Sequence, residues 1–191
     1  MNRSSAMFYL TIDTPGYGHM QALLAAKEQE SHPAGCWVSE IGRLNQVLTL
    51  REASDDIPET ASSPAAPIRF REVRLLSALK PYRPTNDKLF ELREYAVVPG
   101  RMQEFIALML EALPFRERHS PNVCVWVPLS GDPDRVLHLW GYRDFAHRGE
   151  ARAAAMREPA WQAYLKAIVP LLGEMNSTIL RPVEVTAKEH A

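Results

Sequence analysis

Apolar residues along this chain switch between a spacing of two and a spacing near 3.6, and each switch marks an element. In Lys88–Val97, Phe90 and Leu92 fall on one face and Glu91, Arg93 and Tyr95 on the other, which is the alternation of a strand. Pro99 and Gly100 stop it. Met102, Phe105, Ile106, Met109, Leu110 and Leu113 then follow the i, i+3, i+4, i+7 series of an amphipathic helix, which Pro114 is expected to end. Burying that stripe is worth on the order of 10 kcal/mol as an upper bound. Val123–Leu129 reads as a strand, Ser130–Asp134 as a turn and Arg135–Tyr142 as its hairpin partner. Asp144 is placed to cap a helix running through Met156, and Pro159 sits at the first position of another, with Trp161, Leu165 and Ile168 on one face. A last strand, Ser177–Val185, completes the order β-α-β-β-α-α-β, a ferredoxin-like split βαβ unit with a divided second helix.

The first part of the chain repeats this order in reduced form. Strand Phe8–Ile12, a helix from about Gly18 to Glu30, hairpin Cys36–Leu50 and strand Ile68–Leu75 are predicted. Trp37–Leu50 lies over Trp126–Leu139 without a gap. The identical pairs are Trp37/Trp126, Val38/Val127, Gly42/Gly131, Val47/Val136, Leu48/Leu137 and Leu50/Leu139. The pattern reads as duplication of one unit of roughly 90 residues, giving halves 1–80 and 88–191. The first is eroded: where its second helix belongs lies Ala53–Pro67, rich in Ser, Asp, Pro and Ala, which reads as a loop. Lys80–Asn86 is a proline-punctuated linker. The expected class is α+β, with two antiparallel sheets packed face to face. That packing accounts for the apolar and aromatic residues on both faces of Val136–Tyr142.

Charge and composition narrow the partners. The 191 residues hold 22 Lys and Arg against 23 Asp and Glu, a net charge of −1, which leaves no electrostatic footprint for nucleic acid. No uncharged apolar run approaches the ~18 residues of a membrane-crossing helix, and the N-terminus lacks a secretory h-region, so the expected compartment is the cytoplasm. Cys36 and Cys124 are expected to be reduced, and Cys124 reads as a buried thiol. His19, His32, His119, His147 and His190 show no metal-ligand spacing, so neither a metal nor another cofactor is expected.

Taken together, Phe90–Tyr95, Pro99, Gly100, Val136–Asp144, Arg148, Arg152, Pro159–Trp161, Tyr164 and Ile179–Pro182 resemble the NIPSNAP family over about 100 residues in order. The first half resembles it only through Trp37–Gly42 and Leu44–Val47, and departs at Leu48–Glu52, where the family pattern has His, Trp and Tyr. The resemblance implies a dimeric α/β-barrel type of fold, in which two ferredoxin-like sheets form a barrel. It implies no single activity, since that fold hosts cofactor-independent monooxygenases, haem-degrading enzymes, isomerases and plain binding proteins.

Two rows of residues could carry chemistry. His138, Trp140 and Tyr142 share one strand face, and so do Glu91, Arg93 and Tyr95. If both rows point into the barrel they form a pocket for a planar anionic or phenolic ligand. Arg93 would supply charge, His138 proton transfer and Trp140 stacking. The bland alternative is a structural ion-pair and aromatic cluster. Trp37 and Trp126 read as packing residues, and Arg148 and Arg152 as a solvated helix face paired with Glu150 and Glu158. The pattern favours a barrel that binds a small hydrophobic or aromatic ligand, or a partner. The alternative is a cofactor-independent monooxygenase or isomerase acting on an aromatic or quinone-like substrate. The barrel is expected to close within one chain; pairing of second halves into a homodimer is the arrangement open to a first half that cannot close it.

Overall fold

Alternating apolar positions need a face to bury, and in the computed structural model they find it inside a barrel. The structure describes residues 6–30, 33–53 and 67–184. Its strands are β1 (Met7–Pro15), β2 (Gly35–Ile41), β3 (Val47–Glu52), β4 (Ile68–Ala78), β5 (Leu89–Val97), β6 (Asn122–Pro128), β7 (Arg135–Tyr142) and β8 (Leu172–Pro182). The helices are α1 (Met20–Glu28), α2 (Met102–Glu117), α3 (Phe145–Ala155) and α4 (Pro159–Ile168). Neighbouring strands follow the order β1-β3-β2-β8-β5-β7-β6-β4, and β4 returns to β1 to close the ring. Each run of four strands keeps the split βαβ order. They are joined edge to edge, by β2 with β8 and by β4 with β6. The barrel therefore closes within one chain.

The interior is packed by one residue in two from every strand, among them Phe8, Leu10, Trp37, Leu48, Leu50, Leu76, Phe90, Leu92, Trp126, Leu137, Leu139 and Leu180. Trp37 and Trp126 are packing residues of this lumen. The residual void is about 10 Å³ and apolar-lined, room for one water at most. Tyr82, from the linker, closes one end: its ring lies 5.4 Å from Phe8 and 6.4 Å from Trp126, and its hydroxyl donates to the Ala34 carbonyl at 2.6 Å. Elsewhere Arg74 of β4 reaches Glu94 of β5, which is not its neighbour in the ring, at 2.5 Å. Gly141 lets the linker cross β7, because a Cβ there would collide with Asp87 and Thr85.

Predicted and observed elements agree closely in the second half, with two corrections. Pro114 does not end α2, which continues to Glu117. Pro114 faces solvent, where the unbonded carbonyl one turn back meets water, while Arg116 in the next turn is buried and held by partners on the sheet. Strand β8 begins at Leu172 rather than Ser177, because Leu172–Asn176 pair with β5 although much of that stretch is exposed and carries no apolar alternation. The expected loop Ala53–Pro67 falls almost wholly in 54–66, outside the described residues, as do His32 and His190. Among the described residues no helix is long and apolar enough to cross a membrane.

A lumen shared by all eight strands should unfold as one unit. Leu50→Ala and Leu139→Ala, from opposite sides of the ring, should each cost about 2–5 kcal/mol. Urea unfolding followed by tryptophan fluorescence and by far-ultraviolet circular dichroism should give one coincident transition for each variant.

Candidate functional site

The outer face of β5 and β7 is buried too, beneath helices. Asp144 accepts from the His147 N–H at 2.7 Å and starts α3; Ala151 and Ala155 let that helix sit close to the sheet. From α2, Met109, Ala112, Leu113 and Arg116 face inward; from α4, Trp161, Tyr164 and Ile168 do.

The two rows singled out in the sequence meet on this face. Across β5 and β7, Glu91 lies opposite Trp140, Arg93 opposite His138 and Leu89 opposite Tyr142. The rows do not point into the barrel, however. Phe90, Leu92, Leu137 and Leu139 fill the interior, whose lining around the residual void is wholly apolar, while Glu94, further along the same face of β5, meets Arg74. The outer face offers a carboxylate several partners, because the helices above it bring arginines.

Glu91 is the centre, 1% exposed. Arg148 of α3 grips it with two hydrogen bonds, Nε at 3.0 Å and Nη2 at 2.9 Å. Ser177 of β8 donates to it at 2.7 Å, and the Tyr142 hydroxyl at 3.3 Å. Arg152 Nη1 stands 3.6 Å away and Arg93 Nε 3.9 Å away. Burial raises the Glu91 pKa, but the Arg148 hydrogen bonds, the Arg93 charge and the Ser177 hydroxyl outweigh it and leave the group at about 2. Arg148 and Arg152 are thus not the solvated pair expected: both turn inward to the carboxylate.

Arg116 adds a fourth guanidinium. It is buried, donates to Ser120 at 2.7 Å and to the Tyr142 hydroxyl at 3.1 Å, and lies 4.6 Å over the Trp140 ring. Burial lowers its pKa, Arg152 and Arg93 push the same way, and Tyr142 and Glu91 oppose them. One face of Trp140 is therefore taken by Arg116, and the indole is 2% exposed, so the stacking role expected for it is not open in this conformation. Two donors at the centre lack a hydrogen-bond partner among the described residues, Arg93 Nε and His138 Nε2. Each such orphan costs about 1–3 kcal/mol.

Sequence reasoning missed Arg116, Ser120 and Ser177 as members of this cluster. For Arg116 a signal existed: position 116 continues the buried series of Met109 and Leu113. For Arg148 it was the shared stripe with Ala151 and Ala155, residues small enough for close helix packing. Cys36 and Cys124 lie outside the cluster; burial pushes their thiols up to about 11 and about 12, as inert interior groups. Among the described residues no group of three His, Cys, Asp or Glu could hold a metal.

The NIPSNAP family model matches residues 90–187, which contain every member of this cluster. A NipSnap homolog of Dictyostelium discoideum is 26% identical over 178 residues, covering 85% of this chain and 80% of that protein. The human NipSnap homolog 2 is 32% identical over 107 residues, covering 56% of this chain and 37% of that protein. The chain spans 63% of the Drosophila melanogaster NipSnap protein, so it covers less than two thirds of both the fly and human relatives. Among solved structures, a candidate monooxygenase of Fusobacterium nucleatum superposes with a TM-score of 0.69 at 10% identity, over 100% of this chain and 98% of that one. That likeness is one of fold.

Glu91→Gln would leave three guanidinium groups, with Arg116 near them, without their carboxylate. It should cost about 3–5 kcal/mol at neutral pH, read by urea unfolding. The folded pKa lies below the ordinary 4.5, so the carboxylate stabilises the fold above that value and loses its effect as pH falls toward about 2. The gap between wild type and variant should therefore narrow over that range.

Proposed function

The chain belongs to the NIPSNAP family, and from that premise we propose that it is a small-ligand-binding α/β barrel. The ligand site is the outer face of β5 and β7, with Glu91, Arg93, Tyr95, His138, Trp140 and Tyr142 as its floor. One observation carries this reading: buried donors on Arg93 and His138 stand without hydrogen-bond partners inside a ring of guanidinium groups. Most buried polar groups that serve only the fold are paired; among the described residues Thr85, Asn122 and Trp126 each leave one side-chain atom unpaired, whereas Arg93 and His138 set two unpaired donors directly across from each other. The Asp13 cluster on the first four strands supports the contrast. There the buried Asp13 takes Arg71 through two hydrogen bonds and Lys27 at 3.1 Å, and Lys27 also meets Glu30 at 2.7 Å.

A second reading, a cofactor-independent monooxygenase or isomerase for an aromatic or quinone-like substrate, draws on Tyr142. Its hydroxyl is held between Arg116 and Glu91, at 3.1 and 3.3 Å, as a polar relay beside the same site. We also read 1–80 and 88–191 as two copies of one unit. Trp37 pairs with Leu48 as Trp126 pairs with Leu137, and Gly42 and Gly131 both have positive φ at the hairpin turns.

Native mass spectrometry of gently purified protein tests the binding reading. A reproducible small-molecule adduct, absent from Arg93→Ala, is the expected result. An adduct-free protein in which Arg93→Ala only lowers stability would make the cluster structural. The enzyme reading requires turnover, with dioxygen uptake for an oxygenase, lost in both His138→Ala and Arg93→Ala while each variant stays folded.

A further inference from the structure

The state of His138 decides what chemistry that face can offer. Its Nδ1 accepts the indole N–H of Trp140 at 2.6 Å. An indole nitrogen only donates, so the lone pair of His138 is on Nδ1 and the proton of the neutral ring is on Nε2. That N–H is buried and has no hydrogen-bond partner among the described residues. Burial holds the ring's pKa well below its ordinary value, and the charges of Arg93 and Arg116 add to this against Glu91. The Tyr95 ring packs edge-on at 4.7 Å and fixes the imidazole further. Neither nitrogen has a free lone pair, so His138 cannot take the proton-transfer role that its residue type suggested. It can only donate.

Arg93 supplies a second donor at the same place. It lies directly across from His138 in the β5–β7 register, and its guanidinium sits 5.3 Å over the Tyr95 ring. Its Nε, 3.9 Å from Glu91, also lacks a hydrogen-bond partner. Arg93, Arg148 and Arg152 are the partly exposed members of the cluster, so the side open to solvent is the positive one. Three guanidinium groups stand within 3.9 Å of one carboxylate there, with Arg116 a fourth nearby, and the balance of charge is short of anions.

Resting on the ligand-binding reading above, we propose that this site takes its ligand by an anionic oxygen. The oxygen is received by His138 Nε2–H and the Arg93 guanidinium, and His138 is a fixed donor rather than a base. Such an oxygen is that of a carboxylate, a phenolate or an enolate.

Salicylate is the probe, and its neutral analogue salicyl alcohol the control. Binding is followed by the indole N–H resonance of Trp140 in 15N-labelled protein, assigned with Trp140→Phe. Salicylate should shift that resonance saturably, salicyl alcohol should bind far more weakly, and Arg93→Gln should weaken salicylate roughly 10- to 100-fold. Equal binding of the two compounds, or no effect of Arg93→Gln, would overturn the anion assignment and leave the ligand site standing. No response to either compound would overturn both. The 15N shifts of the His138 ring provide the second measurement. They should report a proton on Nε2 alone between about pH 5 and 8; a proton on Nδ1, or a titration in that range, would overturn the fixed-donor assignment.

Discussion

Closure of the sheet on itself is the constraint from which the rest follows. Once β4 pairs with both β1 and β6, and β2 with both β3 and β8, each strand has two neighbours and two faces of different character. The inner face packs against other strands, and against Tyr82 at one end, across a space too narrow for solvent, and over most of its depth it accepts apolar residues, chiefly leucine, phenylalanine and tryptophan. Every other residue is sent outward. On β5 and β7 those residues are a carboxylate, an arginine, a histidine and aromatics, none of which could be left dry and unpaired. Helices α2, α3 and α4 therefore do two jobs there: they cover the face, and they carry the cations that make burial of Glu91 tolerable.

The consequences differ around the ring. On the first four strands, one helix and one strand supply Lys27 and Arg71 to Asp13, and Lys27 passes on to Glu30, which also meets Arg51 at 2.6 Å. Acids and bases alternate along that chain of contacts. On the second four, cations accumulate around a single acid, and two N–H groups stay idle beside it. Similar topology thus carries one electrostatically settled cluster and one that is not.

Much of this was legible in the chain. Period-two patterning located β5 and β7 and put Phe90 and Leu92 opposite Glu91 and Arg93, because one residue of offset separates the faces of any strand. Asp144 and Pro159 announced α3 and α4, since their side chains have local jobs at helix starts. What could not be read was which face looked inward, for that depends on how the two sheets join. The misreading of Arg148 and Arg152 has the same origin: charged residues four apart on a helix suit solvent and a buried carboxylate equally well, and only the packing of α3 decides. Pro114 misled because a proline's effect depends on whether its side of the helix meets water.

A ring built from two separate identical chains is bound by symmetry. Each outer face occurs twice, and any residue changed for chemistry on one is changed on the other. A ring closed by one chain is released from that bond. Its first outer face can settle into alternating acids and bases and give stability, while its second keeps a costly group in which cations crowd a single acid. The count changes with it: one barrel presents one Glu91-centred cluster, where a ring of two identical chains would present two.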